Sequence, residues 1–264
     1  MNPELSFQEV NTGKYIASVL DELGVDYTDG WCDNGIVAVI KGNKRSNKVI
    51  MLRADIDALP ITEENQVDYK SQNVGVMHAC GHDVHTSWLL GAMHILNDLR
   101  SEFGGTIKCI FQPGEEQLPG GASIMIKEGV LENPKPTSVL GQHVYPPLAV
   151  GKIGYKSGMY MASADEIRIT VKGKGGHGAL PHNCIDTVLM SAKILTALQD
   201  VVARNTNPNI PAVLSFGKIN SVGGATNIIP DEVKIEGTFR TMNEEWRIEA
   251  HKHKKMADAV AKAS

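Results

Sequence analysis

The sequence has little of what marks membrane, secreted and nucleic-acid-binding proteins. Its apolar runs are only a few residues long, too short to cross a bilayer. The first residues show neither a basic nor an apolar region, so we expect no secretory signal. Lys and Arg number 26 against 30 Asp and Glu, a net charge of −4. We therefore expect neither nucleic acid nor an anionic membrane as a partner.

Cysteines are also few. The chain has four, with no spacing typical of a disulfide framework: Cys32, Cys80, Cys109 and Cys184. A reducing, cytoplasmic setting is therefore the expectation. The chain does have 264 residues, of which 42% are hydrophobic and 21% charged. That composition is typical of a globular protein with one large domain or two of ordinary size.

The first part of the chain alternates between helix and strand patterns. Ser6 and Glu9 have the spacing of a capping box, which predicts a helix that ends at Gly24. Another amphipathic helix is predicted to start near Asp83. Short runs with apolar residues on both faces predict strands at residues 36–40, 49–52, 107–111 and 139–140. Because such strands suit burial under helices, we expect an α/β fold with a mostly parallel sheet over residues 1–156.

After about Tyr155 the pattern changes to strict alternation. Apolar and polar residues alternate around Ile169 and again around Ile235, which favours an antiparallel sheet with one wet face. Helices are predicted within residues 185–202 and 246–260. The order β-α-β-β-α is one strand short of a ferredoxin-like unit, so we expect a ferredoxin-like α+β domain over residues 157–264.

The densest cluster of reactive side chains directly precedes the second helix. It contains three imidazoles, a thiol and a carboxylate within eight residues: His78, Cys80, His82, Asp83 and His85. A soft or borderline divalent metal needs such groups. Cys80 and His82 could converge on one ion if the turn at Gly81 is tight. The start of a helix also favours a thiolate. The alternative is a set of isolated core or surface residues.

Two adjacent carboxylates, Glu115 and Glu116, directly follow the predicted strand at residues 107–111. Open α/β sheets place their sites at the C-terminal ends of strands. Because neighbouring side chains diverge, one glutamate can bind a metal while the other acts as general base on a water. A Glu-Glu pair taken alone is more often part of a solvated loop. Its position at a strand end, downstream of the cluster, favours the site.

Other strand ends carry polar side chains as well. His143 follows the strand at residues 139–140 and could close a metal site. Asp55 and Asp57 follow the strand at residues 49–52, where they could orient a ligand histidine or pair with Arg53. Hydrogen bonds within the turn are an equally good interpretation of these two aspartates.

A glycine-rich loop in the second part, GKGGHGALPH, bears His177 and His182. It lacks the spacing of a P-loop, so phosphate binding is not expected. A histidine on such a loop could donate to an oxyanion. Asn227 and Arg240 are candidates for contacting a substrate carboxylate, Arg240 because a guanidinium matches a carboxylate with two parallel hydrogen bonds.

Together these motifs resemble the M20 metallopeptidase family, and most closely its amidohydrolase branch of N-acyl-amino-acid, hippurate and auxin-conjugate hydrolases. The resemblance rests on RADIDALP, MHACGHDVH, QPGEE, GQHVYP, GKGGHGALPH and TNIIPDEVKIEGTFR, and runs from NPELSFQE to GTFRTMNEE. It implies a catalytic domain that holds one or two divalent ions (Zn, Mn, Ni or Co). It also implies that residues 157–264 form an inserted lid through which the protein dimerises.

The resemblance also implies roles for individual side chains. It assigns four of them to the metal: Cys80, His82, Glu116 and His143. Glu115 becomes the general base and proton shuttle, and His177 an oxyanion donor, often supplied across the dimer. Asn227 and Arg240 would hold the substrate carboxylate. The expected reaction is attack of metal-activated water on the amide of a small N-acyl amino acid.

Two departures leave alternatives open. Members of this branch begin with a further helix and continue past the lid to a final metal-binding histidine, so we expect a chain shortened at both ends. The runner-up function is therefore a metal-binding or dimerising fragment without activity. A third interpretation makes Cys80 a nucleophile with His82 or His85 as its base. Metal analysis, an activity assay and sensitivity to chelators separate the three.

Overall fold

A computed structural model describes residues 1–223 and 225–263. The chain divides into two units, Met1–Lys152 and Ile153–Ser264. Within the described ranges, no helix has both the length and the apolar character needed to cross a bilayer.

The first unit is built on a five-stranded sheet. Its strands are β1 (Asp26–Trp31), β2 (Gly35–Lys41), β3 (Lys44–Asp55), β4 (Gly104–Gln112) and β5 (Ser138–Gly141), in the order β1-β2-β4-β3-β5. β3 pairs in parallel with β4 and β5, whereas β2 pairs antiparallel with β1 and β4. Four strands therefore run in one direction and only β2 opposes them. The predicted mainly parallel sheet is confirmed. Strand β1 was not predicted, because it is mostly exposed and has no apolar run in the sequence.

Three helices cover this sheet: α1 (Val10–Leu23), α2 (His82–Asp98) and α3 (Gly121–Lys127). Successive residues of a strand point to opposite faces, and the buried side chains separate accordingly. Ile16 of α1 and Met93 of α2 pack in one cluster with Phe111 of β4. Met125 of α3 packs in another cluster with Ile110 of β4. The central strands β2 and β4 are therefore covered on both sides, as their apolar runs require. The expected burial of residues 139–140 is wrong, because β5 lies at an edge of the sheet and is exposed.

The predicted capping box at the start of α1 is wrong. Glu9 takes the N-cap position, but its side chain makes no capping hydrogen bond. Both residues of the motif are buried and bond to distant parts of the chain instead. The Ser6 hydroxyl donates to Asp57 at 2.6 Å, and the Glu9 carboxylate accepts from the Gly114 N–H at 2.7 Å. Long-range partners therefore replace the local pattern.

The carboxylate of Glu4 holds the first turn of α1 in place of that capping box. One of its oxygens accepts from the Asn11 N–H and the other from the Thr12 N–H, at 3.1 and 2.8 Å. The helix ends at Gly24, which adopts the left-handed conformation with φ 62°. That end agrees with the prediction, because glycine takes this conformation without strain.

The second unit contains a three-stranded antiparallel sheet. Its strands are β6 (Ser163–Lys172), β8 (Ala212–Val222) and β10 (Glu232–Thr241), in the order β6-β10-β8. A separate ladder joins β7 (Gly176–His177) to β9 (Ile228–Ile229). The helices are α4 (Thr187–Leu198), α5 (Glu244–Ala250) and α6 (Lys254–Ala263), with short helical turns at Pro181–Asn183, Val201–Asn205 and His251–His253. The long elements follow the predicted order β-α-β-β-α, except that the single last helix predicted is divided into α5 and α6 by the turn at His251–His253.

An ion pair ties strand β6 to helix α5. Asp165 accepts two hydrogen bonds from the Arg247 guanidinium, at 2.7 and 2.6 Å, and lies 3.3 Å from His251. The bonds from Arg247, together with His251, outweigh burial and lower the pKa of Asp165. A lowered pKa contributes stability that is present above the unfolded pKa and is lost as pH falls through the folded pKa.

Replacing Asp165 with Asn is therefore expected to lower the free energy of unfolding at pH 7 by about 1–2 kcal/mol. The difference from wild type should be full above about pH 5, begin to shrink near pH 4, where the carboxyl of the unfolded chain becomes protonated, and be lost as pH falls through the lowered pKa of the folded carboxyl. Denaturant unfolding followed by tryptophan fluorescence measures it. Glu166→Gln is the matched control, because its ion pair with Arg168 is exposed and worth little. Equal losses in both variants would contradict the prediction.

Candidate metal centre

Three parallel strands carry polar side chains to one edge of the five-stranded sheet. β3 ends at Asp55, with Asp57 just beyond it, while β4 is followed by Glu115 and β5 by His143. Because these strands run the same way, their carboxyl ends lie together. Helix α2 begins there with His82, and the side chains converge on it.

His82 is the buried centre of this group. Its Nδ1 atom lies 3.1 Å from a carboxylate oxygen of Asp57. Its Nε2 atom lies 3.7 Å from an oxygen of Asp55 and 3.9 Å from an oxygen of each of Glu115 and Glu116. One ring nitrogen thus has a partner, while the other faces carboxylates beyond hydrogen-bond distance.

Cys80 and His143 approach the same place from the other side. The Cys80 Sγ lies 3.3 Å from the His143 Nε2, and ligand atoms of these two and of His82 lie within 4.8 Å of one another. The His143 Nδ1 lies 2.8 Å from the Val144 carbonyl, which directs the other nitrogen to Cys80. The turn between Cys80 and His82 is tight, as predicted: Gly81 has φ 84°, and a Cβ there would meet the Val144 side chain at 2.4 Å.

Two atoms of this group are buried without a hydrogen-bond partner among the described residues, Nε2 of His82 and Oε1 of Glu116. Buried polar atoms are normally paired, so each needs an explanation. A divalent cation would satisfy both, because both are ligand atoms. The thiolate, imidazole and carboxylate set suits Zn and also Mn, Ni or Co. The residues present therefore fit a metal site.

The charges of the group also favour a cation. Burial, and then Glu116 and the other carboxylates nearby, raises the pKa of the Cys80 thiol to about 12. Burial together with Glu116 and Asp55 raises the pKa of Glu115. A bound cation would reverse both shifts, since it stabilises the ionised forms. The raised pKa argues against Cys80 as a nucleophile, because the thiolate is the reactive form.

Asp57 connects several parts of the site. Although burial raises its pKa, hydrogen bonds from His82, the Glu116 N–H and Ser6 lower it more, to about 2. One carboxylate oxygen faces His82, and the other accepts from the Ser6 hydroxyl at 2.6 Å and the Glu116 N–H at 2.9 Å. The ionised carboxylate thus fixes both an imidazole and the backbone that carries a glutamate.

Asp55 is held by different partners. It accepts from the Arg53 guanidinium at 2.5 Å and lies 2.6 Å from the His85 Nδ1. The Val144 N–H donates to the other ring nitrogen of His85, so the proton of that ring lies on Nδ1, toward Asp55. Both nitrogens of His85 are therefore occupied, and an ion would have to displace one of these bonds.

The second unit holds the remaining candidates. His177 and Asn227 are brought together by the β7-β9 ladder, where the Gly178 N–H donates to the Asn227 carbonyl at 2.7 Å. His177 is exposed, and its Nδ1 accepts from the Ala179 N–H. Arg240 is also exposed, but it lies in β10 of the other sheet. Of these three candidates, the second unit therefore brings His177 and Asn227 close together but not Arg240.

Comparison with known proteins identifies the family. The sequence model of peptidase family M20/M25/M40 matches residues 51–264, which include every candidate named so far for the metal. The chain belongs to this family. The resemblance inferred from the motifs is thereby confirmed.

Relatives of this M20 chain include proteins named as hydrolases of N-acyl amino acids. An N-acetylcysteine deacetylase of Bacillus subtilis (strain 168) is 42% identical over 262 residues, covering 98% of this chain and 68% of the relative. An N-acyl-L-amino acid amidohydrolase of Geobacillus stearothermophilus is 43% identical over 246 residues, covering 93% and 65%. The M20 chain thus spans about two thirds of the length of these relatives.

Solved structures share the fold of this M20 chain. A dinuclear metal-binding peptidase of the M20 family from Bacillus subtilis is 38% identical with a TM-score of 0.79, covering 99% of this chain and 67% of its own. A protein of methicillin-resistant Staphylococcus aureus is 37% identical with a TM-score of 0.91, covering 100% and 69%. The predicted α/β class is confirmed by both.

The motif analysis of this M20 chain missed two residues next to the site. Ser6 and Glu9 contact Asp57 and Gly114, although they were interpreted as a helix cap. The family resemblance could have indicated them, because both lie in the NPELSFQE segment, which is one of the segments that carry it.

Proposed function

We propose that this M20 chain carries the centre of a metal-dependent amidohydrolase that cleaves the amide bond of N-acyl amino acids. One observation carries the proposal: beside Cys80 and the carboxylate of Glu115, buried ligand atoms of His82 and Glu116 have no hydrogen-bond partner within the described part of the chain. Relatives that deacetylate N-acetylcysteine or hydrolyse N-acyl amino acids support the substrate class.

We assign one or two divalent ions to four residues: Cys80, His82, Glu116 and His143. Zinc and manganese head the candidates, with nickel and cobalt also compatible. When bound, the metal would activate water and polarise the amide carbonyl. Asp57 would hold His82 through Nδ1 and so aim Nε2 at the ion, while Asp55 would hold Arg53 and His85 behind the site.

Glu115 is our candidate for general base. Its side chain is 41% exposed, so water and substrate can reach it, unlike the buried oxygen of Glu116. The carboxylate would take a proton from the attacking water and pass it to the departing amino nitrogen.

We further propose that residues 1–156 act as the catalytic domain and residues 157–264 as a lid. His177 would donate to the developing oxyanion, and Asn227 and Arg240 would bind the substrate carboxylate. The chain would form a homodimer through this lid, whose edge strand β8 carries exposed apolar side chains at Val213 and Ile219. The four free cysteines are compatible with the cytoplasmic setting that we propose.

Removing metal is expected to stop hydrolysis, and adding a divalent ion back is expected to restore it. The chain would be stripped with a chelator and titrated with Zn²⁺, Mn²⁺, Ni²⁺ and Co²⁺. Release of free amino acid from a panel of N-acetyl amino acids would then be measured beside the bound metal. Bound metal without turnover would favour the inactive metal-binding or dimerising fragment. Turnover that survives chelation would favour Cys80 as a nucleophile.

A further inference from the structure

We propose that Glu9 is a positioning residue that fixes the turn carrying Glu115 and Glu116. This inference rests on the proposed function of those two glutamates. Glu9 lies at the start of α1, far from them in sequence, and touches neither of their carboxylates in the contacts described above. It acts through the backbone of Gly114, the residue directly before Glu115.

The contact itself is buried and short. The Glu9 side chain has no exposed surface, and its Oε1 accepts from the Gly114 N–H at 2.7 Å. Its Oε2 faces the Asn34 side-chain amide at 3.4 Å. A hydrogen bond to a carboxylate is stronger than one between neutral groups, and a buried N–H that loses it has no water to replace it.

Gly114 is held on its other sides too. It has φ 59°, and a Cβ there would lie 2.3 Å from the ring of Phe7. Its carbonyl accepts from the Gly121 N–H at 2.8 Å. Its N–H, Cα and carbonyl are thus fixed by three neighbours, and its backbone sets the direction in which Glu115 leaves the turn. Phe7 and Glu9 come from the same N-terminal segment.

That segment reaches both ends of the glutamate pair. Glu9 holds the Gly114 N–H before the pair, and Ser6 donates to Asp57, which in turn accepts from the Glu116 N–H. Residues 6–9 therefore hold the backbone of the turn at two points, directly at Gly114 and through Asp57 at Glu116. The carboxylates stand 3.9 Å from the His82 Nε2, so a shift of the turn would change their fit to a metal and to a substrate. A misplacement of about 1 Å is enough to cost roughly 100-fold in rate.

Glu9 is not needed to cap the start of α1, because the carboxylate of Glu4 does so. Glu4 caps the first turn through the N–H groups of Asn11 and Thr12, whereas the Glu9 side chain makes no cap. The two glutamates therefore separate support of the helix from support of the turn, and they form a matched pair for an experiment.

The test compares Glu9→Leu, Glu9→Gln and the control Glu4→Leu by Co²⁺ affinity and by hydrogen exchange. Removing the acceptor in Glu9→Leu is expected to weaken Co²⁺ binding by about 10–100-fold, as for other residues that orient metal ligands. It should also speed exchange within residues 113–120. Glu9→Gln keeps an acceptor oxygen and should stay close to wild type. Glu4→Leu should speed exchange in the first turn of α1 and keep the Co²⁺ affinity.

Wild-type exchange in residues 113–120 of Glu9→Leu would overturn the proposal, as would equal losses of Co²⁺ affinity in Glu9→Leu and Glu4→Leu. If wild type itself binds no Co²⁺, the proposed function fails, and the exchange data alone still decide whether Glu9 holds the turn. If Glu9→Leu does not fold, Glu9→Asp takes its place with the same expectations, because it keeps the charge but shortens the reach to Gly114.

Discussion

Replacing Glu115 with Gln is expected to abolish hydrolysis while the chain keeps its metal. The amide matches the carboxylate in size but cannot accept a proton from water. Loss of a general base lowers kcat by about 10²–10⁴-fold. Metal content should not change, because the buried oxygen that has no partner in residues 1–223 and 225–263 belongs to Glu116, not to Glu115.

Release of free amino acid and bound metal would be measured on the same preparations. Glu116→Gln is the informative comparison, since it should lose metal as well as activity. Normal hydrolysis of N-acyl amino acids by Glu115→Gln would show that the proposed mechanism is wrong. Joint loss of metal and turnover in Glu115→Gln would move that residue from base to ligand.

His82→Ala is expected to have the largest effect on metal binding. Structural zinc sites gain about 10–16 kcal/mol from four ligands, or roughly 2.5–4 kcal/mol for each. Losing one ligand should therefore weaken Zn²⁺ affinity by about 10²–10³-fold. The variant also leaves the carboxylate of Asp57 buried without its imidazole partner, so the free energy of unfolding should fall.

Competition with a coloured chelator measures the Zn²⁺ affinity, and denaturant unfolding measures the stability. His94→Ala is the matched control, because His94 lies on the same helix α2 with its side chain 64% exposed. Wild-type affinity in His82→Ala would place the metal elsewhere. Equal losses in both variants would indicate damage to the helix and not to a ligand.

Much of the site region could be predicted because runs of apolar residues mark the strands. β3, β4 and β5 carry apolar runs, and parallel strands end at one edge, so Asp55, Glu115 and His143 could be expected together. The spacing of Cys80 and His82 around a glycine indicated a tight turn, and Gly81 does adopt the positive φ that such a turn requires. Burial and periodicity are local signals, and the sequence displays them directly.

The parts of the fold and of the site that could not be predicted depend on long-range contacts, which no local sequence pattern reveals. Ser6 and Glu9 match a capping box, but their partners lie 51 and 105 residues away. A buried hydrogen bond to a distant group outweighed the local cap, which left Glu4 to support the helix. The β7-β9 ladder that pairs His177 with Ile228 has two residues on each side, too short for periodicity to detect.

The metal residues that we propose all lie within Met1–Lys152, and this has a consequence for biosynthesis. Ribosomes add about 5–20 residues per second, and domains fold as they emerge from the N-terminus. Glu9 therefore emerges roughly 5–20 s before Gly114, so its hydrogen bond to the Gly114 N–H forms only after that interval. His143 is the last of the proposed ligands to be made. If these residues bind the metal as proposed, we expect the nascent chain to capture an ion while the second unit is still being translated.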